Sequence, residues 1–468
     1  MKETPVPRGR CRPTLDITYC FANIFVMRSE PAAGWLRRRS QKSNSRKANA
    51  RPSGNVGCML LLVVGLLVLV YLFSPPHMEI PPSAAFSQQD DQRLPVAGVL
   101  PVSASDPEIF TTGHSIRDKM LGLIKGANES ILINSFLITN SHSSSQIVSA
   151  LAERQANGVR VHVLSDSSSR FMPAGSLFNE LTRAQIPWAE FNPFLKFTWP
   201  RGAKLMERDH RKVWIIDGRT IFLGGANITG ESLGQPGHYG NIDFMVAFES
   251  PDAARSLIEN FVYTWNDSST DSIRVEDFSI PEKQPLHAEA WVFDQQLDGQ
   301  EPIIGSMFSS LFATARREIW LLHAYTFTSP PLLRMIKNAS ERDVEVNLIL
   351  PKYTINPRFT YAAHYGIQDI QEAGGRVWMH QSETLPAHFK GAIVDNQWTS
   401  IGSANFNYRS FALSREIAVV FSDPELARQL MSTVQDLKRD SQLVSPGEAR
   451  SYRTFRHWFW WSLLQRGG

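Results

Sequence analysis

The feature that most constrains this chain is a polar motif that occurs twice with the same internal spacing. The two copies are 178 positions apart, and each contributes five residues: His210, Lys212, Asp217, Gly224 and Asn227 in the first, and His388, Lys390, Asp395, Gly402 and Asn405 in the second. One such pattern would carry little information. Five matches in a single register, inside an otherwise diverged sequence, indicate an internal duplication that builds one shared site.

The segments before the two motifs repeat as well. Matching strand–helix–strand patterns occupy residues 131–137, 145–156 and 159–164 in the first half, and 317–322, 332–342 and 344–350 in the second. Strands that alternate with helices are typical of βαβ units. We therefore predict an α/β fold of two pseudo-symmetric repeats, each a mixed, mainly parallel sheet flanked by helices, with the active site at the repeat interface.

Changes in composition divide the chain into six segments. We predict a basic, disordered N-terminal segment (1–55), a transmembrane anchor (56–73), a linker (74–105), a first repeat (106–285), a second repeat (286–440) and an aromatic, basic C-terminal tail (441–468). The tail mixes rings with arginines, which is typical of a membrane interface, although a helix packed on the body is an equal alternative.

The predicted anchor is an uncharged run of eighteen residues, 56–73. This length is near the lower limit for crossing a hydrocarbon core of about 30 Å. Basic residues precede the run and acidic residues follow it, which predicts a single-pass protein of the cell membrane with its body on the non-cytoplasmic, periplasmic side. A cleaved signal peptide is the alternative.

The charge and cysteine content exclude several functions. Residues 1–51 hold twelve basic and three acidic side chains, which leaves 36 basic and 42 acidic side chains in the remainder. This acidic balance disfavours nucleic acid as a partner. The three cysteines are Cys11, Cys20 and Cys58, so the body has no cysteine for catalysis or zinc. Neither motif clusters histidines with carboxylates, and we expect neither a metal nor a cofactor.

The spacing of the motif explains how it could hold a phosphate. On a strand, the His and the Lys two residues later project from the same face. The Asp falls at a turn, and the returning strand brings the Asn back beside the His. Gly225 and Ser403 keep that edge small, so an anion could approach the backbone. Each half thus offers an imidazole that could act as a nucleophile, an ammonium group that could bind the anion by its charge, and a carboxamide that could donate hydrogen bonds.

Four carboxylates accompany the motifs, with two alternatives for each. Asp217 and Asp395 either join catalysis or only shape the turn, because Asp before Gly or Asn is most often structural. Asp243 and Glu416 lie in strand-like segments after each motif. Each either orients a catalytic histidine through its far ring nitrogen or is an ordinary strand carboxylate.

The motifs resemble those of the phospholipase D superfamily, and within it most closely those of bacterial cardiolipin synthases. The resemblance covers about residues 106–440. The first motif that carries it comprises residues 208–212 and 224–228, and the second comprises residues 386–390, 402–405, 408–410 and Glu416. Two positions depart from the pattern: Glu231-Ser232 replaces an acidic–Tyr pair, and Asn241 replaces a Trp. These departures affect the expected preference for the acceptor.

The resemblance implies a two-step, metal-independent exchange of phosphodiesters. His210 would attack phosphorus to form a phosphohistidine, and His388 would protonate the leaving alcohol and then deprotonate the acceptor. Lys212, Lys390, Asn227 and Asn405 would stabilise the phosphorane oxygens.

The functional prediction is a membrane-anchored phosphatidyltransferase that makes cardiolipin and glycerol from two phosphatidylglycerols. A phospholipase D hydrolase that releases phosphatidic acid, and an anchored phosphodiesterase or nuclease, are the alternatives of the same chemistry. A binding module with a degenerate site is disfavoured by two intact motifs. The partners expected are a phospholipid substrate and the membrane, and the duplication makes an oligomer unnecessary for catalysis.

Overall fold

The structure, a computed structural model, describes residue 80 and residues 99–193, 207–282, 288–297 and 303–467. The first half of the described chain contains β1 (Val99–Thr112), α1 (Gly113–Gly126), β2 (Ser130–Ser135), α2 (His142–Ala156), β3 (Arg160–Asp166), α3 (Phe178–Arg183), β4 (Trp188–Phe191), β5 (Arg208–Asp209), β6 (Lys212–Ile216), β7 (Thr220–Gly224), α4 (Gly230–Leu233), β8 (Ile242–Glu249) and α5 (Pro251–Ser268).

The second half repeats this order of elements. It contains β9 (Ala288–Gln295), α6 (Ile303–Thr314), β10 (Glu318–His323), α7 (Pro330–Ser340), β11 (Glu345–Pro351), α8 (Pro357–Tyr365), α9 (Ile367–Glu372), β12 (Gly375–His380), β13 (Lys390–Val394), β14 (Trp398–Gly402), α10 (Tyr408–Ala412), β15 (Ser414–Ser422), α11 (Pro424–Arg439), β16 (Ser441–Leu443), α12 (Pro446–Ser451) and α13 (Phe455–Gly467).

One continuous sheet carries both halves. Its strand order is β1-β8-β7-β6-β2-β3-β4 in the first half and β9-β15-β14-β13-β10-β11-β12-β16 in the second, so the two halves follow the same path apart from the terminal β16. The antiparallel pair β1–β9 joins them. The predicted α/β fold of two repeats with mixed sheets is thus confirmed.

The prediction of a mainly parallel sheet is wrong. Within each half of the described sheet, only β2-β3-β4 and β10-β11-β12 run parallel, whereas the motif hairpin and its neighbours are antiparallel. The helices α2 and α3 supply the long crossovers that parallel strands need, but the turn between β6 and β7 is too short for one.

The sequence-based boundaries also need correction. Residues 99–105, placed in a linker, form the first half of β1, where Val102 and Ala104 are buried. The segment 441–468, placed in a tail, begins with β16, which pairs with β12. It ends in α13, whose Leu464, Trp460 and Trp461 pack with Phe327. The C-terminal residues therefore form a helix packed on the body.

The segments predicted as a disordered N-terminus (1–55) and a transmembrane anchor (56–73) lie outside the described residues. In the described part of the chain, no helix combines the length and the apolar composition that crossing a membrane requires.

Three large apolar clusters hold the described sheet and its helices together. One cluster lies between the two halves and includes side chains of α5 and α11. Of the two outer clusters, one lies in the first repeat and the other lies in the second repeat together with Val99 of β1. At the centre, Phe244 of the first repeat stacks on Phe389 of the second, with ring centroids 5.6 Å apart. Burial of rings across the interface favours association of the repeats.

Two aspartates fix the motif hairpins. Asp217 and Asp395 have positive φ angles of 51° and 55°, which suits the tight turns between β6 and β7 and between β13 and β14. The carboxylate of Asp217 accepts the N–H groups of residues 128–130 at 2.8–2.9 Å. The carboxylate of Asp395 does the same for residues 316–318. Each Asp thus ties its hairpin to the start of the neighbouring strand.

We expect Asp217→Asn to destabilise the fold by about 1–2 kcal/mol, because an amide cannot accept all three N–H groups. The measurement is the apparent melting temperature of the purified protein. Asp343→Asn is the matched control, since Asp343 also has a positive φ (63°) but is exposed. Equal melting temperatures for the Asp217 variant and the unmodified chain would contradict the structural role.

Candidate active site

The two motifs meet through the main chain of the opposite repeat. The N–H of His210 donates to the carbonyl of Arg415 in β15, at 3.0 Å. The N–H of His388 donates to the carbonyl of Ile242 in β8, at 2.8 Å. Each histidine is therefore held against the strand that follows the other motif.

This crossed arrangement places both histidines in one cavity of about 570 Å³. The cavity is formed by both repeats, and its wall includes His210, Asn227, Tyr325, His388, Asn405 and Glu416. The structure thus brings together the imidazoles and carboxamides that the sequence placed 178 positions apart.

A carboxylate of the opposite repeat holds each imidazole. His210 Nδ1 lies 3.0 Å from both oxygens of Glu416, and His388 Nδ1 lies 2.6 Å from Asp243 Oδ2. Both carboxylates are fully buried. When Nδ1 carries the proton, the carboxylate fixes the tautomer in which Nε2 bears a lone pair.

The surroundings keep both imidazoles neutral. Burial lowers the pKa of His210 to about 4, although Glu416 acts in the opposite direction. Burial and the adjacent Lys390 also lower the pKa of His388, against the effect of Asp243. Neutral imidazoles have lone pairs that can attack phosphorus or accept a proton.

The carboxylates respond to the same surroundings in the opposite direction. Burial by itself raises the pKa of Asp243 and of Glu416, but the lysine and histidine beside each one outweigh it and hold both pKa values below their usual range. Both groups are therefore anions at neutral pH, as acceptors of an Nδ1–H must be.

The two motif lysines are buried beneath the histidines. Lys212 Nζ donates to the carbonyl of His210 at 2.7 Å, and Lys390 Nζ donates to the carbonyl of His388 and lies 3.0 Å from its Nδ1. Burial lowers the pKa of Lys212 to about 7 and that of Lys390 to about 8. The pair can thus present positive charge to an anion, but their protonation depends on pH near neutrality.

The asparagines occupy equivalent positions in the cavity wall. Asn227 accepts the N–H of Leu137 through Oδ1 at 3.2 Å, which leaves its amide N–H groups as donors. Asn405 is equally buried and lines the same cavity. Two imidazoles and two carboxamides line one space, and two lysines lie beneath the histidines; this set suits a tetrahedral anion.

Two predicted substrate contacts have another place in the structure. Ser403 Oγ donates to Glu416 and accepts the N–H of Ile417. Gly225, its equivalent, leaves room for Asp243, since a Cβ there would lie 2.0 Å from Asp243 Oδ1. Both positions therefore support the histidine-holding carboxylates, and neither lines the cavity.

Asp217 and Asp395 do not reach the cavity either. Each lies at the far end of a five-residue strand from its motif lysine and is engaged with backbone N–H groups. At about 3.3 Å per residue, that separation is well beyond contact with a group bound at the histidines. Of the two alternatives given for Asp217 and Asp395, these contacts favour the turn-shaping one.

Sequence analysis missed the rings that flank the histidines. The ring of Phe136 meets that of His210 edge-on at 4.7 Å, and Tyr325 meets His388 at 5.5 Å. Lys212 Nζ also lies 4.8 Å from the centre of the Phe136 ring. Phe136 directly follows β2, and Tyr325 lies two residues after β10, so an aromatic residue just after the second strand of each repeat was the available signal.

The residues on either side of His210 form a buried ionic network that was also missed. Arg211 pairs with Asp209 at 2.7 Å and with Asp294 of β9 at 3.0 Å. The second motif has Ala387 and Phe389 at the equivalent positions. The first motif is thus anchored by charge, and the second by aromatic packing.

Comparison with known proteins gives consistent matches. The family model described as cardiolipin synthase, PLD-like domain, matches residues 120–265 and 308–438. Cardiolipin synthase 2 of Bacillus anthracis is 27% identical over 73% of this chain and 66% of its own length. Cardiolipin synthase of Geobacillus kaustophilus is 26% identical over 74% of this chain and 69% of its own length. The matched region thus spans about two thirds of these relatives.

A solved structure shares the fold. Phosphatidylserine synthase of Haemophilus influenzae aligns with 74% of this chain and 89% of its own, with a TM-score of 0.61 and 15% sequence identity.

We expect tungstate, a tetrahedral dianion, to bind this cavity and to lose affinity as the lysines deprotonate. Because the pKa values of Lys212 and Lys390 are about 7 and 8, both are charged below these values and neutral above them. Affinity should fall at least about tenfold from about pH 6.5 to about pH 9. Isothermal titration calorimetry measures it, and Lys212→Met should weaken binding and flatten the profile. Constant affinity across this range would contradict the cationic role.

Proposed function

We propose that this chain, which belongs to the cardiolipin synthase family with a phospholipase D-like domain, transfers a phosphatidyl group from one phosphatidylglycerol to another. The products are cardiolipin and glycerol. The observation that carries the proposal is the crossed pair of histidines, each held by a buried carboxylate of the other repeat, in one cavity. The names of the similar synthases support the choice of lipid.

In the first step, Nε2 of His210 attacks the phosphorus of the donor lipid. The P–N bond forms as the bond from phosphorus to the glycerol headgroup breaks, and His388 gives its proton to the leaving oxygen. The products are phosphatidyl-His210 and glycerol. Glu416 supports the attacking ring, since an anion at Nδ1–H stabilises the positive charge that develops on it.

In the second step, a hydroxyl group of another phosphatidylglycerol replaces glycerol. His388 accepts the hydroxyl proton as the oxygen attacks phosphorus, and the P–N bond breaks to restore neutral His210. One histidine thus acts as nucleophile, and the other serves as acid and then as base.

The proton required in the first step follows from substrate binding. Both imidazoles are neutral in the free site, because burial lowers both pKa values. A phosphodiester anion bound between them favours the protonated form of a neighbouring imidazole and raises its pKa. Asp243, at 2.6 Å, makes His388 the imidazole better placed to hold that proton.

Four side chains would stabilise the five-coordinate phosphorus. Lys212 and Lys390 supply positive charge from beneath the histidines, while Asn227 and Asn405 supply amide N–H groups from the cavity wall. The extra negative charge on the phosphorane oxygens strengthens these contacts in the transition state.

We also propose that the chain works at a membrane. The uncharged run 56–73 supports a single-pass anchor, with the body on the non-cytoplasmic side. Helix α13 adds Phe455, which is 75% exposed, with Trp458 and Phe459 half-buried beside it. Rings at a protein surface suit the headgroup region of a bilayer.

The direct test is product analysis with the purified full-length chain in phosphatidylglycerol vesicles. We expect cardiolipin and glycerol in equal amounts, and at least about a thousandfold loss for His210→Ala and for His388→Ala. Phosphatidic acid as the main product would instead identify a hydrolase. Cleavage of an oligonucleotide with the lipid untouched would rule out both lipid activities.

The roles of the two histidines can be separated with a donor whose leaving group needs no acid, such as a p-nitrophenyl ester of phosphatidic acid. With His388→Asn, we expect a stoichiometric burst of nitrophenol followed by a stalled covalent enzyme, because the second step lacks its base. With His210→Asn, no burst should occur. The reversed result, or phosphate trapped on His388 in the unmodified protein, would exchange the two roles.

A further inference from the structure

The cavity departs from its own pseudo-symmetry in its charge. Arg409 lines it in the second repeat, whereas the residue 178 positions earlier, Glu231, lines it in the first. Arg208 also lines it, and its counterpart 178 positions later is Pro386. The catalytic groups occur once in each half, whereas the two arginines that line the cavity among the described residues have counterparts that carry no positive charge.

Arg208 is held rigidly at the cavity wall. It is 4% exposed, and its guanidinium donates to Ser167 Oγ at 2.9 Å and to the carbonyl of Asn192 at 3.3 Å. Asp166 lies 3.4 Å away and partly compensates its charge. Arg208 precedes His210 by two residues of extended chain, so its side chain leaves the same face as the imidazole.

Arg409 brings a second guanidinium to the same region. It is the second residue of α10, which begins just after Asn405. Both arginines line the same cavity. Burial and the neighbouring Arg208 lower the pKa of Arg409, whereas Asp166 and Glu416 act in the opposite direction. An anion bound between them would be attracted by both charges, and the fork of each arginine matches phosphate oxygens.

We propose that Arg208 and Arg409 form a second anion subsite, which holds the phosphate of the acceptor phospholipid while its hydroxyl group attacks the phosphohistidine. The inference rests on the proposed function and adds the basis for choosing the acceptor. Water and free glycerol carry no phosphate and would gain nothing from the subsite, whereas phosphatidylglycerol would be bound and aligned.

The dimensions of the product set the distance at which such a subsite must lie. In cardiolipin, six covalent bonds join one phosphorus to the other through the bridging glycerol. Two extended residues contain the same number of bonds and span about 7 Å. The second phosphate must therefore lie within about this distance of the reacting phosphorus. Both arginines and both histidines line the same cavity of about 570 Å³.

The experiment compares two reactions of the same phosphatidyl-enzyme in the full-length chain. Incorporation of labelled glycerol into phosphatidylglycerol measures donor binding and both catalytic steps with a neutral acceptor. Cardiolipin formation uses the same steps with an anionic acceptor. We expect Arg409→Gln to lower cardiolipin formation at least about tenfold, with a raised KM for soluble short-chain phosphatidylglycerol as acceptor, while glycerol exchange keeps its rate.

Two further variants sharpen the test. Arg409→Lys keeps the charge but loses the fork, and we expect an intermediate ratio of cardiolipin to exchange product. Arg334→Gln removes an exposed arginine of α7 that does not line the cavity, and it should leave that ratio unchanged. The unchanged exchange reaction also shows that the variant is folded.

Each other outcome overturns the subsite. Equal losses in both reactions for Arg409→Gln would make Arg409 part of donor binding or of the fold. No loss in either reaction would show that the acceptor phosphate does not contact it. If the unmodified chain makes no cardiolipin, the proposed function itself fails, whatever Arg409 does.

Discussion

Two backbone hydrogen bonds between the repeats determine the geometry of the site. The N–H of His210 binds a carbonyl of β15, and the N–H of His388 binds a carbonyl of β8. In each case the carbonyl belongs to the residue just before a buried carboxylate. The hydrogen bond therefore brings His210 next to Glu416 and His388 next to Asp243. The low pKa values of the two histidines, their tautomers and the shared cavity all depend on these contacts between the repeats.

The local parts of the fold, including the motif hairpins, were readable in the sequence, but the pairing between these local units was not. The 178-residue register predicted the duplication, and the strand–helix–strand patterns predicted the parallel part of each sheet. The direction of the remaining strands depends on tertiary pairing, which periodicity does not encode. Residues 99–105 were placed in a linker because the segment is rich in Pro, Ser and Ala, yet they form the first half of β1, which lies in the middle of the sheet between β8 and β9.

The same distinction applies to the site. Side-chain alternation correctly brought His, Lys and Asn together, since these positions are local to one hairpin. Which carboxylate meets which histidine depends on contacts 206 and 145 residues apart along the chain, and the repeat pattern left it open. The sequence placed Asp217 at the turn but left its role open, because a fixed spacing does not show that its carboxylate accepts the N–H groups of residues 128–130.

The exchange of carboxylates has a consequence for how the two repeats can change over evolutionary time. A substitution at Glu416 alters the basicity of a histidine encoded in the other half of the gene, and one at Asp243 does the reverse. Neither half can drift to a new chemistry alone, because the partner's histidine would lose its support. The two halves must therefore evolve together. A mutation in one half of the gene would impair the function of the histidine in the other half.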